Sequence, residues 1–223
     1  MAGDKTGSLP HRLVPLQLEL LERFFAEERG FFLTGGAALV GFYLHHRNTS
    51  DLDLFTGDPD AWQRSRRVVA RVARQVGANL ETKQDTPEFQ RHLVTRPPEA
   101  VVLDLVLDRV PPLVAQKPEQ DGIRLDPPEE ILTNKLTALV SRSEERDLVD
   151  VMFLERAGYR VEDALVGALA KDGGCTPGQL AFVLSEIIIP DSVVLPAEVE
   201  PGDLRAYVED LVRRLRRAAL PSR

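Results

Sequence analysis

Phe31-Phe32-Leu33-Thr34-Gly35-Gly36 and, after a helical stretch, Arg47-Asn48-Thr49-Ser50-Asp51-Leu52-Asp53-Leu54-Phe55 decide the fold. The first segment is an apolar run that stops at a glycine pair. The second places two carboxylates, Asp51 and Asp53, two residues apart among apolar neighbours. A strand repeats every two residues, so both carboxylates project from one sheet face. Like charges so placed repel and are costly to bury unpaired, and a divalent cation removes that cost. A glycine pair that opens a helix offers bare N–H groups and the positive helix end to a phosphate. The segment therefore couples a metal site to a phosphate site. Plainer readings exist for each part: a strand-end acid pair at Asp51 and Asp53, and a tight strand-to-helix turn at Gly35-Gly36.

Outward from this segment, the patterns alternate. Pro15–Arg29 carries Leu18, Leu21, Phe24 and Phe25 at helical spacing and stops at Gly30. Phe31–Leu33 predicts a buried strand, Gly36–His46 a helix, and Asp51–Phe55 a second strand. Asp58 caps a helix with Pro59 in its first turn, ending near Val76-Gly77. Strands are predicted at Asn79–Lys83, Phe89–Thr95 and Val101–Asp108, with a short one at Gly122–Leu125. Prolines in their loops suit meander connections. From Pro128 onward the patterns are helical: Glu129–Ser141, Glu145–Ala157, Val161–Lys171, Thr176–Ile188 and Asp203–Leu220. Thr176-Pro177-Gly178-Gln179 reads as a capping box. The expected fold class is α/β (α+β), a mixed β-sheet flanked by helices with a helical C-terminal part. The division falls at residues 1–126 and 127–223.

Composition bounds the rest. The chain has 223 residues, enough for one large or two small domains. No apolar run reaches membrane-spanning length. Met1–Leu9 lacks the apolar core of a signal peptide, so a cytoplasmic location is expected. The single cysteine, Cys175, excludes an internal disulfide and a multi-cysteine zinc site. A net charge of −7 argues against a surface coated for nucleic acid, though not against a local basic patch. Arg64, Arg67, Arg71 and Arg74 recur on one helix face opposite Val68, Val69, Val72 and Val76. That pattern reads as a solvated face or as a stripe for RNA phosphates. His45 and His46 suit the negative end of the preceding helix. No Walker-type loop, dinucleotide fingerprint, zinc-protease helix or nucleophile elbow is present.

Strand, Gly-Gly, helix, then Arg47-Asn48-Thr49-Ser50-Asp51-Leu52-Asp53 resembles the nucleotidyltransferase superfamily with the polymerase-β-like core. More narrowly, it resembles the AbiEii/AbiGii-type toxins. Their later motifs are matched by Ile131-Leu132-Thr133-Asn134-Lys135-Leu136-Thr137-Ala138-Leu139 and by Arg146-Asp147-Leu148-Val149-Asp150. The resemblance covers residues 30–155, and the last third carries no matching motif.

The resemblance implies a magnesium-dependent transfer of a nucleoside monophosphate from an NTP to an acceptor hydroxyl. One or two Mg2+ ions suit clustered carboxylates and phosphate oxygens. Asp51 and Asp53 are the expected ligands, joined by a third carboxylate from Val101–Asp108. Asp104 and Asp108 share a face there, and Asp104 is favoured because it lies mid-run, where an unexplained charge costs more. The catalytic set is then Asp51, Asp53, Asp104, Lys135 and Asp147. The NTP contacts are Thr34, Gly35, Gly36, Arg47, Thr49 and Lys135. Lys135 offsets charge on the leaving pyrophosphate. Asp147 orients the acceptor, binds base or ribose, or accepts a proton, and Asp150 competes with it for that role. The family implies the 3′ end of tRNA as acceptor, an antitoxin partner, and RNA binding by Arg64, Arg67, Arg71 and Arg74. A monomer is expected. The rivals are transfer to a protein or to a small molecule such as an antibiotic, and an inactive nucleotide- or partner-binding member of the fold.

Overall fold

The computed structural model describes residues 12–142 and 144–220. The reading of Met1–Leu9 lies outside them. The chain opens with α1 (Pro15–Glu27), β1 (Phe32–Thr34) and a short α2 (Gly35–Ala38) that passes into a π-helical turn, Leu39–Tyr43. Then come β2 (Asp51–Thr56), α3 (Pro59–Gln75), β3 (Asn79–Asp85), β4 (Phe89–Arg96) and β5 (Glu99–Leu107). A small ribbon, β6 (Glu119–Gln120) and β7 (Ile123–Arg124), precedes α4 (Pro128–Ser141), α5 (Glu145–Arg156), α6 (Val161–Lys171), α7 (Pro177–Ser185) and α8 (Pro201–Ala218).

Five strands form one mixed sheet in the order β1-β2-β5-β4-β3. The β1–β2 pair is antiparallel, β2 and β5 run parallel, and β5–β4–β3 is an antiparallel meander. The mixed α/β architecture with a helical C-terminal part is therefore as the sequence predicts. β2 alternates strictly between half-buried and buried residues. Leu52 and Leu54 pair in register with Leu103 and Leu105 on the face covered by α1 and α3. Each buried leucine there contributes roughly 1.5–3 kcal/mol. The opposite face, carrying Asp51, Asp53 and Phe55, is left for the pocket. Asp58 accepts a hydrogen bond from Asp60 N at 2.8 Å and caps α3 as predicted. Thr176 Oγ1 caps α7 by accepting from Gln179 N at 3.1 Å, the threonine half of the expected capping box.

The helix expected to Ile188 ends at Ser185, β6 falls in no expected strand, and a larger departure follows the glycine pair. The helix predicted over Gly36–His46 ends at Tyr43, and its second half is π-helical. His45 then adopts a positive φ of 50°, which turns the chain out of the helix. His45 still meets the helix end, with its Nδ1 3.0 Å from Val40 O in the last turn, as expected of it, whereas His46 turns to Asp150 instead. The buried hydrophobic residues form a single cluster from Leu13 to Leu215, running on both sides of residue 126.

Candidate active site

Gly35 has a φ of +65°, a backbone conformation that favours glycine. A Cβ at Gly35 would stand 2.5 Å from Asp53 Oδ2, and one at Gly36 would stand 2.6 Å from Arg47 Nη2. The glycine pair is therefore a place of close approach as well as a turn. Its nearest neighbours are a carboxylate and a guanidinium of the later motif.

The register sets the carboxylates. Asp53 lies directly opposite Asp104 in the parallel β2–β5 pair, and Asp51 lies two residues along on the same face. Asp108 falls beyond the end of β5 and accepts from Val110 N at 2.9 Å, so it serves the following turn. Parity alone does not separate Asp104 from Asp108, and both line the pocket, but only Asp104 stands opposite Asp53 in the register. The Asp53 carboxylate receives no hydrogen bond among the described residues. Burial first, then the charge of Asp104, push its carboxyl up to about 6, although Lys135 pulls the other way. Asp104 is nearly buried and forked by Arg91 at 2.8 and 2.6 Å. Asp51 faces Arg146 Nη1 at 3.4 Å.

The helical wall carries the cations. Lys135 Nζ lies 2.6 Å from Asp147 Oδ1 and 2.7 Å from Asp150 Oδ2. Arg47 forks onto Asp150 at 2.7 and 2.8 Å, and His46 Nε2 lies 2.8 Å from the same carboxylate. Burial alone would raise the Asp150 carboxyl. The charge of Lys135 and the hydrogen bonds of Arg47 and His46 outweigh burial and hold it far below the usual carboxylate range. Asp147 takes Lys135 on one oxygen and Arg142 Nε, at 2.9 Å, on the other. The two acids of α5 are thus placed by helical spacing to fix Lys135 between them.

All the expected catalytic and NTP-contacting residues line one pocket of about 720 Å3: Thr34, Gly35, Gly36, Arg47, Thr49, Asp51, Asp53, Asp104, Lys135 and Asp147. That volume is in the usual range for a small-molecule site. Asp150 does not line it and acts through its neighbours. Arg64, Arg67, Arg71 and Arg74 do not line it either. Arg64 pairs with Glu28 and Arg71 with Glu27, while Arg67 and Arg74 pair with nothing among the described residues. Sequence reasoning missed Arg91, Arg142 and Lys171 on the pocket wall and the hold of His46 on Asp150. Arg91 lies on the strand facing β5, and only the register shows that it meets Asp104. Cys175 is buried with its thiol pushed up to about 11 by burial and then by Asp172, which suits no nucleophile.

The donor chemistry of the floor fits a hard divalent cation: three carboxylates on one face, one of them without a donor of its own. Among the described residues no three such side chains are gathered closely enough to enclose an ion as they lie. Arg91 holds both oxygens of Asp104, and Arg146 faces Asp51.

The chain is similar in fold to the crystal structure of JHP933 from Helicobacter pylori. The TM-score is 0.57 at 20% identity, over 92% of each chain. It is similar also to a second H. pylori structure, described as a candidate nucleotidyltransferase. There the TM-score is 0.54 at 18% identity, over 92% of this chain and 96% of that one. No curated protein matches the chain. The family model described as the nucleotidyl transferase AbiEii toxin of a type IV toxin–antitoxin system matches residues 19–220, and with that match over most of its length this chain belongs to the AbiEii nucleotidyltransferase toxin family.

Proposed function

We propose that this pocket transfers a nucleoside monophosphate from an NTP to the 3′-terminal hydroxyl of tRNA, with Mg2+ as the cofactor. One observation carries the reading: an under-neutralised carboxylate floor, Asp51, Asp53 and Asp104, faces a cationic wall, Lys135 and Arg47, across a glycine-pair turn. Mg2+ held by Asp51, Asp53 and Asp104 would supply positive charge against phosphoryl oxygens when bound. Gly35 and Gly36 let a triphosphate approach the backbone closely, and Arg47 stands beside Gly36. Lys135 keeps one ammonium donor beyond those directed at Asp147 and Asp150, which would serve the leaving pyrophosphate. The acceptor oxygen bonds to the α-phosphorus as the bridging bond to the β-phosphate breaks. The hydroxyl proton passes to a floor carboxylate, and pyrophosphate departs.

Capping the 3′ end of tRNA would stop aminoacylation, which accounts for toxicity and for a dedicated antitoxin partner in the cytoplasm. Among the described residues no helix is long and apolar enough to cross a membrane. The test is incubation of the purified protein with Mg2+, total cell RNA and each labelled triphosphate. A labelled band at tRNA size is expected, and it should vanish in Asp53→Ala and Lys135→Ala together with toxicity. Label on protein or on a small molecule, with none on RNA, would overturn the tRNA reading.

A further inference from the structure

The cations of the pocket fall into two groups by exposure. Lys135, Arg47 and Lys171 are buried, with side chains 8%, 7% and 10% exposed. Arg91, Arg142 and Arg146 line the same pocket with about half of each side chain in solvent: 49%, 48% and 46%. These three form a rim. They come from β4, the residue that ends α4, and the first turn of α5. Each is aimed by a carboxylate of the site itself. Arg91 is forked by Asp104, Arg142 is held by Asp147, and Arg146 lies between Asp51 at 3.4 Å and Glu144 at 2.6 Å.

A guanidinium carries five N–H donors, so a fork of two leaves donors to spare. Arg91 directs Nε and Nη2 to Asp104, and its Nη1 meets no partner among the described residues. Planar cations held in a fixed orientation lose little freedom when they bind a phosphate. Three of them, on three separate elements around an open mouth, suit a run of phosphodiesters better than one triphosphate. The triphosphate already has the buried cations and the glycine turn.

The geometry points to Arg91, Arg142 and Arg146 as the landing site for the phosphodiester backbone of the acceptor RNA, which brings its terminal hydroxyl over Asp53. This inference rests on the RNA-acceptor reading above. The rival surface is the arginine stripe of α3. There Arg64 and Arg71 are countered by Glu28 and Glu27 and the neighbouring Arg66 by Asp85, which leaves Arg67 and Arg74 unpaired among the described residues. None of the four stripe arginines lines the pocket.

The test measures RNA binding apart from transfer. Fluorescein-labelled deacylated tRNA is titrated with the full chain over a range of salt, without NTP. In the triple variant Arg91→Gln, Arg142→Gln, Arg146→Gln, affinity should fall at least about tenfold. The salt slope should drop by about 2, from three lost contacts at about 0.7 each. ATP and CTP dissociation constants, read by calorimetry, should change less than about threefold. Arg64→Gln, Arg67→Gln, Arg71→Gln, Arg74→Gln should leave RNA affinity within about threefold. Arg91→Lys alone, which keeps the charge and loses the fork, should lie between wild type and Arg91→Gln. A thermal melt checks that each variant folds. Loss of RNA binding in the α3 variant but not in the rim variant overturns the inference, and so does loss of triphosphate binding alone in the rim variant. If wild type binds no tRNA at all, the acceptor reading falls first, and this inference with it. If the rim variant binds tRNA like wild type while wild type still labels it, only the rim assignment falls.

Discussion

The carboxylates of this pocket come in two sets that the fold treats in opposite ways. On the sheet, Asp53 stands beside Asp104 and Asp51 with no donor of its own, and its carboxyl is pushed up to about 6. On α5, Asp150 is just as acidic a residue, yet it is surrounded by Lys135, Arg47 and His46 and is held far below the usual range. The three sheet carboxylates share two guanidiniums, Arg91 and Arg146, and leave Asp53 without one, whereas the two acids of α5 share Lys135, Arg47 and Arg142. A site that must receive a cation or a phosphorylated substrate keeps its receiving groups unsatisfied, whereas groups that place cations are fully paired. The floor is thus organised for binding, and the α5 pair for positioning.

The contrast breaks most visibly at Asp150. Asp150→Ala leaves Lys135 and Arg47 buried with their shared partner gone, and should destabilise the chain by about 3–5 kcal/mol in urea denaturation. A loss under about 1 kcal/mol would mean that Asp150 is not the anchor of the cationic wall.

At Asp53 the sign should reverse. Its folded carboxyl titrates at about 6, above the ordinary 3.8, so the charged form costs stability. That cost is fully present above the folded value and disappears as pH falls through the window from about 6 to 3.8. In chelator-treated protein at pH 8, Asp53→Asn should therefore gain about 3 kcal/mol, while nucleotide transfer assayed separately with Mg2+ is lost. The gain should fade by about pH 4. An equal gain at pH 4 and pH 8 would trace the effect to packing instead of charge.

The smallest effect is expected at the turn between the two sets. Gly35→Ala places a Cβ at positive φ, 2.5 Å from Asp53 Oδ2, and should cost about 1–2 kcal/mol. Because it displaces the floor carboxylate, transfer should fall by more than the stability change explains. Wild-type transfer at full stability would mean that the close approach is relieved without moving Asp53.

Much of this was legible beforehand because it depends on local pattern. The period-two alternation in Asp51–Phe55, the stop at Gly35-Gly36, the cap at Asp58 and the helices after Pro128 all follow from spacing and turn chemistry. Boundaries were missed where local geometry is unusual, as in the π-helical turn at Leu39–Tyr43, which no periodicity announces. In the site, residues within one motif were found and residues facing it from elsewhere were not. Arg91 carries no motif, and it meets Asp104 only because β4 pairs with β5 at that register. The α3 arginines show the converse: a conspicuous stripe in the sequence that the fold keeps off the pocket wall.

By itself the sequence determined which chemistry-bearing groups exist and which face of its own element each one occupies. Helical and strand periods act over a few residues, and the chain carries that information directly. Only the tertiary structure decided which charges are neutralised. Coulomb interaction and desolvation depend on distance and burial, and those are set by strand register and helix packing between residues as far apart as Arg47 and Asp150. The same residue type is therefore left wanting positive charge at Asp53 on the sheet and is saturated with it at Asp150 on α5.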